Sequence, residues 1–449
     1  MMKLYFALIL ILHALHIPQV MAQQKEFQRT IGGSKKETAF QVIETPDKGN
    51  ITVGSTMSIG AGKSDIYIVK TDSVGNVKWA KTYGGTHDDF GQSIDRTEDG
   101  NYVVVGYSLS FAKDYNDICL IKIDNEGNIL WGKSYPFEKS DYSNAVASTK
   151  DGGAIIIGET ITFKNQVKNA DILILKTDKE GKVSWSKVYG GDSTDYAYSI
   201  QQTADGGYIV AGETKSYGAG DWDFYLLKLS KDGAVQWSKT LGDAKADSGR
   251  SITETEDGGF LVGGNTYNFK SVESDVCIAK LKKEGDVEWA KTYGGQETDY
   301  MLSIKSLNKD RFAICGFSNS FGLRYEDAFV MLLKGNGKPI WSKAFGSDTS
   351  DYGVSICFTS DNYIVMCGTS KGFKTTEDDI YLIKTGMTWR VEGCNMSNMY
   401  PMQIENVVLK AGTGHNVTSL ACTEIPVEVI TMDVTGYAFP QDLCPILEP

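Results

Sequence analysis

Six tryptophans, Trp79, Trp131, Trp185, Trp237, Trp289 and Trp341, stand 52, 54, 52, 52 and 52 residues apart. Seven aspartates, Asp65, Asp117, Asp171, Asp223, Asp275, Asp327 and Asp379, keep the same period, each 14 residues ahead of its tryptophan where one exists. A period near 50 residues means that one supersecondary unit is repeated and cannot bury its own apolar face alone. It overrides the prior of about 150 residues per domain that a chain of 449 residues would otherwise suggest.

Each unit reads as short strands separated by turn chemistry. Tyr198–Thr203, Tyr208–Thr214, Asp223–Leu229 and Val235–Leu241 are β-branched and aromatic runs, broken by Asp205-Gly206-Gly207, a longer glycine-containing loop and Lys231-Asp232-Gly233. No sustained 3.6-residue periodicity marks a helix. Four strands per unit, repeated around an axis, predict an all-β, seven-bladed β-propeller of about 52-residue four-stranded blades over residues 23–387. Ring closure is legible too. Phe27–Gly33 overlays Trp79–Gly85, so the N-terminus is expected to supply the missing fourth strand of blade seven, with Thr388–Val391 as the rival. Residues 388–449 leave the repeat and predict a small β-rich extension, either a small domain or a piece docked on the ring, with strands at Gln403–Lys410 and Val427–Val434.

The pattern Lys-x-Asp-x-x-Gly-x-x-x-Trp (Lys122, Asp124, Gly127, Trp131; Lys176, Asp178, Gly181, Trp185) resembles the tryptophan-docking repeat of quinoprotein-like bacterial propellers. The whole unit is similar to secreted bacterial propeller-repeat proteins, over about residues 27–387. The resemblance implies the fold; propellers of this kind serve as enzymes, scaffolds and binding modules alike. Quinoprotein dehydrogenases of that type have eight blades, and no quinone- or metal-holding set matches here, so no cofactor residue carries over and no cofactor is expected beyond Ca²⁺ as a candidate.

Met1–Ala22, with Lys3, the apolar run Leu4–Ile17 and Val20-Met21-Ala22, reads as a secretory signal, so export to the periplasm, cell surface or exterior is expected, with no transmembrane segment afterwards. A formal charge of -12 argues against nucleic acid as a partner. Of eight cysteines, Cys119, Cys277, Cys315, Cys357 and Cys367 occupy packing positions of the repeat and are expected as buried thiols; Cys394, Cys422 and Cys444 lie in the extension, where one bridge and one free thiol are expected.

Residues repeated in every blade are first of all structural: tryptophan between blades, Gly84, Gly85, Gly190 and Gly191 for unusual backbone angles, aspartate for turns. The loops before strands one and three open on one face. They carry the Asp65 series and a second acid series (Glu37, Asp89, Asp141, Asp195, Asp247, Asp299, Asp351), which would form a negative rim if directed outward. Phe90, Tyr142, Tyr196, Tyr300 and Tyr352 follow that second series, and Ile59, Phe111, Phe163, Tyr217, Phe269, Phe321 and Phe373 precede the first; rings beside carboxylates suit sugars, Ca²⁺ or a cationic partner, or else plug the blade tops. Departures from the repeat are the candidate ligand-binding residues: His87, Asp88, Asp89, Trp222, Arg324 and Tyr325, with a two-residue insertion within Lys164–Ala170. The series Ile43, Asp95, Ala147, Gln201, Thr253, Lys305 and Cys357 is expected to line the channel. The expected function is an exported non-catalytic binding or assembly module holding a glycan or protein at the cell envelope. The alternatives are a carbohydrate-active hydrolase or lyase using rim carboxylates and a purely structural envelope component.

Overall fold

The computed structural model describes residues 26–387 apart from 113–114, 138–139, 165–166, 268–272, 321–324 and 374–376, and six short strands beyond 402. The expected signal segment and Cys394, Cys422 and Cys444 lie outside the described residues.

Seven antiparallel sheets form the ring, and no helix occurs among the described residues. Blade four is representative: Asp195–Gln202, Tyr208–Thr214, Asp223–Leu229 and Val235–Gly242 pair in sequence order. Its two middle strands are buried at every position, because both faces of the sheet are covered by neighbouring blades. Apolar clusters accordingly bridge blades: Ile155, Ile172, Tyr189, Val210 and Tyr225 belong to one cluster although they come from blades three and four.

Blade seven is built from Asp351–Phe358, Tyr363–Ser370 and Asp379–Gly386, with Phe27–Gly32 as the fourth strand in the register Phe27↔Lys384 to Ile31↔Ile380. The N-terminal strand therefore closes the ring, and the place proposed for Thr388–Val391 is taken; that segment itself lies outside the described residues.

The tryptophan series explains how blades grip one another. A Cβ at Gly127, in the last turn of blade two, would sit 2.9 Å from the Trp79 ring and 2.8 Å from the Tyr83 hydroxyl, both in blade one. Trp79 Nε1 donates to the Asn125 carbonyl (3.1 Å) and the Tyr83 hydroxyl to the Gly127 carbonyl (2.8 Å). The same clasp recurs as Tyr135 to Gly181, Tyr189 to Gly233 and Tyr293 to Gly337. At the closure Phe27 stands in for tryptophan: a Cβ on Gly75 would be 2.9 Å from its ring, and the Arg29 guanidinium lies over that ring at 5.7 Å.

The six described strands beyond residue 402 pair with the ring rather than with one another. They add one by one to the outer edges of different blades: Gln403–Asn406 on blade five, Lys410–Gly412 on blade four, Asn416–Ser419 on blade three, Ile425–Pro426 on blade two, Ile430–Asp433 on blade one and Phe439–Asp442 on Phe27–Gly32 of blade seven. The order of these described strands follows the ring against the blade order. Outer strands present a row of unpaired backbone groups, and short added strands satisfy them. Alternation within the extension is legible in sequence, but which blade each strand meets is a matter of tertiary placement.

Candidate functional site

All fourteen repeated carboxylates belong to strands rather than loops, thirteen as the first residue of the strand, as in Asp195–Gln202 and Asp223–Leu229, and Asp171 inside the lengthened Val167–Thr177. None is more than 7% exposed, so the outward negative rim does not form. Their role is at the joints between blades. Asp89 accepts hydrogen bonds from Gly85 N (2.8 Å), Ser110 Oγ (2.6 Å) and Ser108 Oγ; Asp195 does the same with Gly191 N, Ser216 Oγ and Thr214 Oγ1. The two series meet across a glycine at the end of the fourth strand in every blade but the second, where Pro136 stands: a Cβ on Gly84 would lie 2.3 Å from Asp65 Oδ1 and 2.6 Å from Asp89 Oδ2, and one on Gly32 would meet Asp379 and Glu37. Burial, reinforced by the facing carboxylate, pushes Asp65 up to about 6 and Asp379 up to about 7. Gly84, Gly85, Gly190 and Gly191 are not in the left-handed region. These four are glycine for want of room, not for backbone freedom, which corrects the expectation from sequence.

The aromatic residues divide. Ile59, Phe111, Tyr217 and Phe373 pack against the interblade clusters and plug the blade tops; nothing is described of the side chains of Phe163, Phe269 and Phe321. The rings following the second acid series are instead half-buried at the upper ends of the innermost strands. They gather with rings from second strands into an interrupted collar. Phe90, Tyr107 and Tyr142 stand in file, centroids 5.0 and 5.1 Å apart; Tyr196 stacks on Trp222 at 5.6 Å; Tyr300, Phe317 and Tyr352 form a second file at 5.3 and 4.9 Å. Below the collar lies a central cavity of about 490 Å³. All seven positions of the Ile43 series line it, as the alternation along the innermost strand requires.

One arc of the mouth is unlike the rest. Glu213 is buried; it accepts the Tyr198 hydroxyl at 2.6 Å and Ser248 Oγ, and lies 3.6 Å from Arg250 Nη2. The guanidinium stands 4.2 Å from the Tyr198 centroid and 5.9 Å from that of Tyr300. Burial works against its charge, but Tyr198, Glu213 and Tyr300 outweigh burial and hold its pKa above the usual arginine value. In the equivalent place on blade three stands Glu159, directly across from Tyr142. Burial, then the charge of Glu213, pushes its carboxyl up to about 7.

Of the six candidates from sequence, Asp89 is fully buried in its joint. His87 is exposed, its Nδ1 3.1 Å from Thr86 Oγ1, and Asp88 beside it is half-exposed. Trp222 belongs to the collar, with Lys215 Nζ 4.8 Å from its ring. Tyr325 is 47% exposed on blade six, and Arg324 lies outside the described residues. The described candidates are thus spread over separate blades rather than brought to one point. The insertion in blade three lengthens a hairpin, Ala154–Lys164 with Val167–Thr177, whose pairing continues past Glu159 as far as Lys164↔Val167. Tyr107, Glu159, Tyr198, Glu213, Arg250 and Phe317 were missed. The signal was available: their two columns vary from blade to blade (Ser55, Tyr107, Glu159, Glu213, Asn265, Phe317, Thr369; Phe40, Gln92, Asn144, Tyr198, Arg250, Leu302, Val354) while the columns around them hold steady.

The five repeat cysteines are free; four are buried, and Cys357 is half-buried on the cavity wall. Burial pushes the Cys357 thiol up to about 12. Among the described residues no three of His, Cys, Asp or Glu are gathered where one metal ion could be held, and no helix is long and apolar enough to cross a membrane.

No family model matches the chain. Among curated proteins it is similar to regulatory protein FlaEY of Caulobacter vibrioides, 21% identical over an alignment of 297 residues that covers 59% of this chain but only 30% of the relative's length. Among solved structures it is similar to the polysaccharide lyase Uly1 (10% identity, TM-score 0.48, 80% of this chain and 90% of that one) and to Chaetomium thermophilum Sqt1 bound to the N-terminus of ribosomal protein L10 (10% identity, TM-score 0.46, 79% and 98%).

Proposed function

We propose that this propeller is an exported, non-catalytic module that binds a glycan at the cell envelope across the upper mouth of its channel. The observation that carries the reading is the collar: eight half-buried rings (Phe90, Tyr107, Tyr142, Tyr196, Trp222, Tyr300, Phe317, Tyr352) around a polar cavity. Aromatic faces take the C–H faces of sugar rings, and such rings carry both an apolar surface and, for tyrosine and tryptophan, a donor for hydroxyls. A rigid ring of sheets presents them at little ordering cost, since their neighbours already restrict them. The leader segment Met1–Ala22 supports export.

The test is a glycan-array screen of Gln23–Pro449 with Ca²⁺ and with chelator, beside Trp222→Ala and Tyr196→Ala. The expected result is a glycan class retained by the parent protein and weakened at least tenfold by both substitutions. Loss on chelation would add a Ca²⁺-assisted contact. Arrays blank in both conditions would overturn the reading in favour of a protein partner. A lyase reading is favoured by one observation, the Tyr198 hydroxyl held by Glu213 beside Arg250. Release of unsaturated ends from a bound glycan, lost in Tyr198→Phe, would establish it over simple binding.

A further inference from the structure

We propose that Glu159, paired across the strands with Tyr142 in the collar, is an ammonium site that receives the free amino group of an amino-sugar unit in the bound glycan. The inference rests on the glycan reading above and deepens it.

The equivalent positions on other blades show what is unusual. Ser55 Oγ accepts Gly91 N at 3.2 Å. Asn265 accepts from the Met301 amide and donates back to its carbonyl. Glu213 is held by Tyr198 and Ser248, while Tyr107 and Phe317 pack ring against ring with the next blade. Glu159 has no hydrogen-bond or ion-pair partner among the described residues. It faces Tyr142 across the strand pair of its own blade. Tyr107 of blade two and Tyr196 of blade four are close enough that its charge raises both phenols, although burial is the larger cause for each.

A carboxylate between aromatic rings selects for an organic cation. The rings attract positive charge through their faces, and the carboxylate accepts the ammonium hydrogens. A neutral hydroxyl would leave the repulsion from Glu213 uncompensated; a cation relieves it. Arg250 is committed to Glu213, Tyr198 and Tyr300. Ca²⁺ wants six to eight oxygens, and Glu159 offers two. The half-buried carboxyl is held up at about 7, a cost that a bound ammonium would remove.

The experiment is calorimetric titration of Gln23–Pro449 with a glucosamine tetramer, the N-acetylglucosamine tetramer and an N-acetyl-lysine-amide probe bearing a free side-chain amine, for the parent and Glu159→Gln. This substitution is isosteric and removes a half-buried charge, so the fold is expected to hold, which circular dichroism verifies. The expected result is at least tenfold preference for the free-amine tetramer over the acetylated one, falling to within twofold in Glu159→Gln. Equal affinity of the parent for both tetramers, or a preference that survives the substitution, overturns the proposal while leaving the collar reading to the array. Binding of the lysine probe alone, lost in Glu159→Gln, also overturns it, because the amine then comes from protein and the glycan reading falls as well.

Discussion

Gly84→Ala and Gly206→Ala oppose two reasons for a glycine. Gly206 has φ +82° with nothing within 4 Å of a built Cβ; Gly84 is outside the left-handed region but a Cβ there would be 2.3 Å from Asp65 Oδ1 and 2.6 Å from Asp89 Oδ2. Ordinary contact begins at 3.4 Å, so in Gly84→Ala those oxygens must move by 3.4 - 2.3 = 1.1 Å and 3.4 - 2.6 = 0.8 Å. Asp89 Oδ2 holds Gly85 N at 2.8 Å and Ser110 Oγ at 2.6 Å. Lengthening both by roughly 0.8 Å takes them past hydrogen-bond range, and two bonds to a charged acceptor are worth about 1.5–3 kcal/mol each. Allowing for partial relaxation, Gly84→Ala is expected to cost about 3–5 kcal/mol. Gly206→Ala should cost about 1–2 kcal/mol, the penalty of a left-handed residue with a Cβ. Urea unfolding followed by tryptophan fluorescence gives both values. A Gly206→Ala cost equal to or above that of Gly84→Ala would refute the assignment of the carboxylate joint as the reason for the repeated glycine.

Two further outcomes follow from the joints. Phe27 is 4% exposed and closes the ring where other blades use tryptophan, so Phe27→Ala should cost about 3–5 kcal/mol and speed amide exchange in Asp379–Gly386 more than in the equivalent Asp275–Leu281; uniform acceleration would contradict closure through this side chain. Stability should rise on acidification from pH 8 to pH 5. Asp65, Asp117 and Asp247 are raised to about 6, and Asp141 and Asp379 to about 7, chiefly by burial, from 3.8. Between about pH 4 and 7 the native chain therefore binds more protons than the unfolded one, and stability falls as pH rises through that window. Asp205 and Asp257, lowered to about 2 against burial by Thr and Lys donors, act the other way below about pH 4. Thermal melting is expected to peak near pH 4–5, and a peak above pH 7 would contradict the buried-carboxylate reading.

The collar was half legible: Phe90, Tyr142, Tyr196, Tyr300 and Tyr352 could be picked out as a series, because position two of the innermost strand has a fixed place in every blade. Tyr107 and Phe317 could be marked only as departures in a variable column, since their contacts with Tyr142 and Tyr352 of the next blade have no local signature. The same holds for the mouth. Glu213 and Arg250 are 37 positions apart and in different blades, and nothing local to either announces the other.

What the sequence by itself determined is everything that a 52-residue period and two-residue alternation specify: four strands per blade, seven blades, closure by Phe27–Gly32, the channel-lining column and the burial of four of the five repeat cysteines, Cys357 being half-buried on the channel wall. These depend on which face of which strand a residue occupies, and periodicity reports that directly. Only the tertiary structure decided the direction of the fourteen carboxylates, the reason for Gly84, and the distribution of the C-terminal strands over six blades. Each of these is settled at a joint between blades, where a side chain's surroundings come from residues about 50 positions away or from the far end of the chain, and no local pattern encodes such a neighbour.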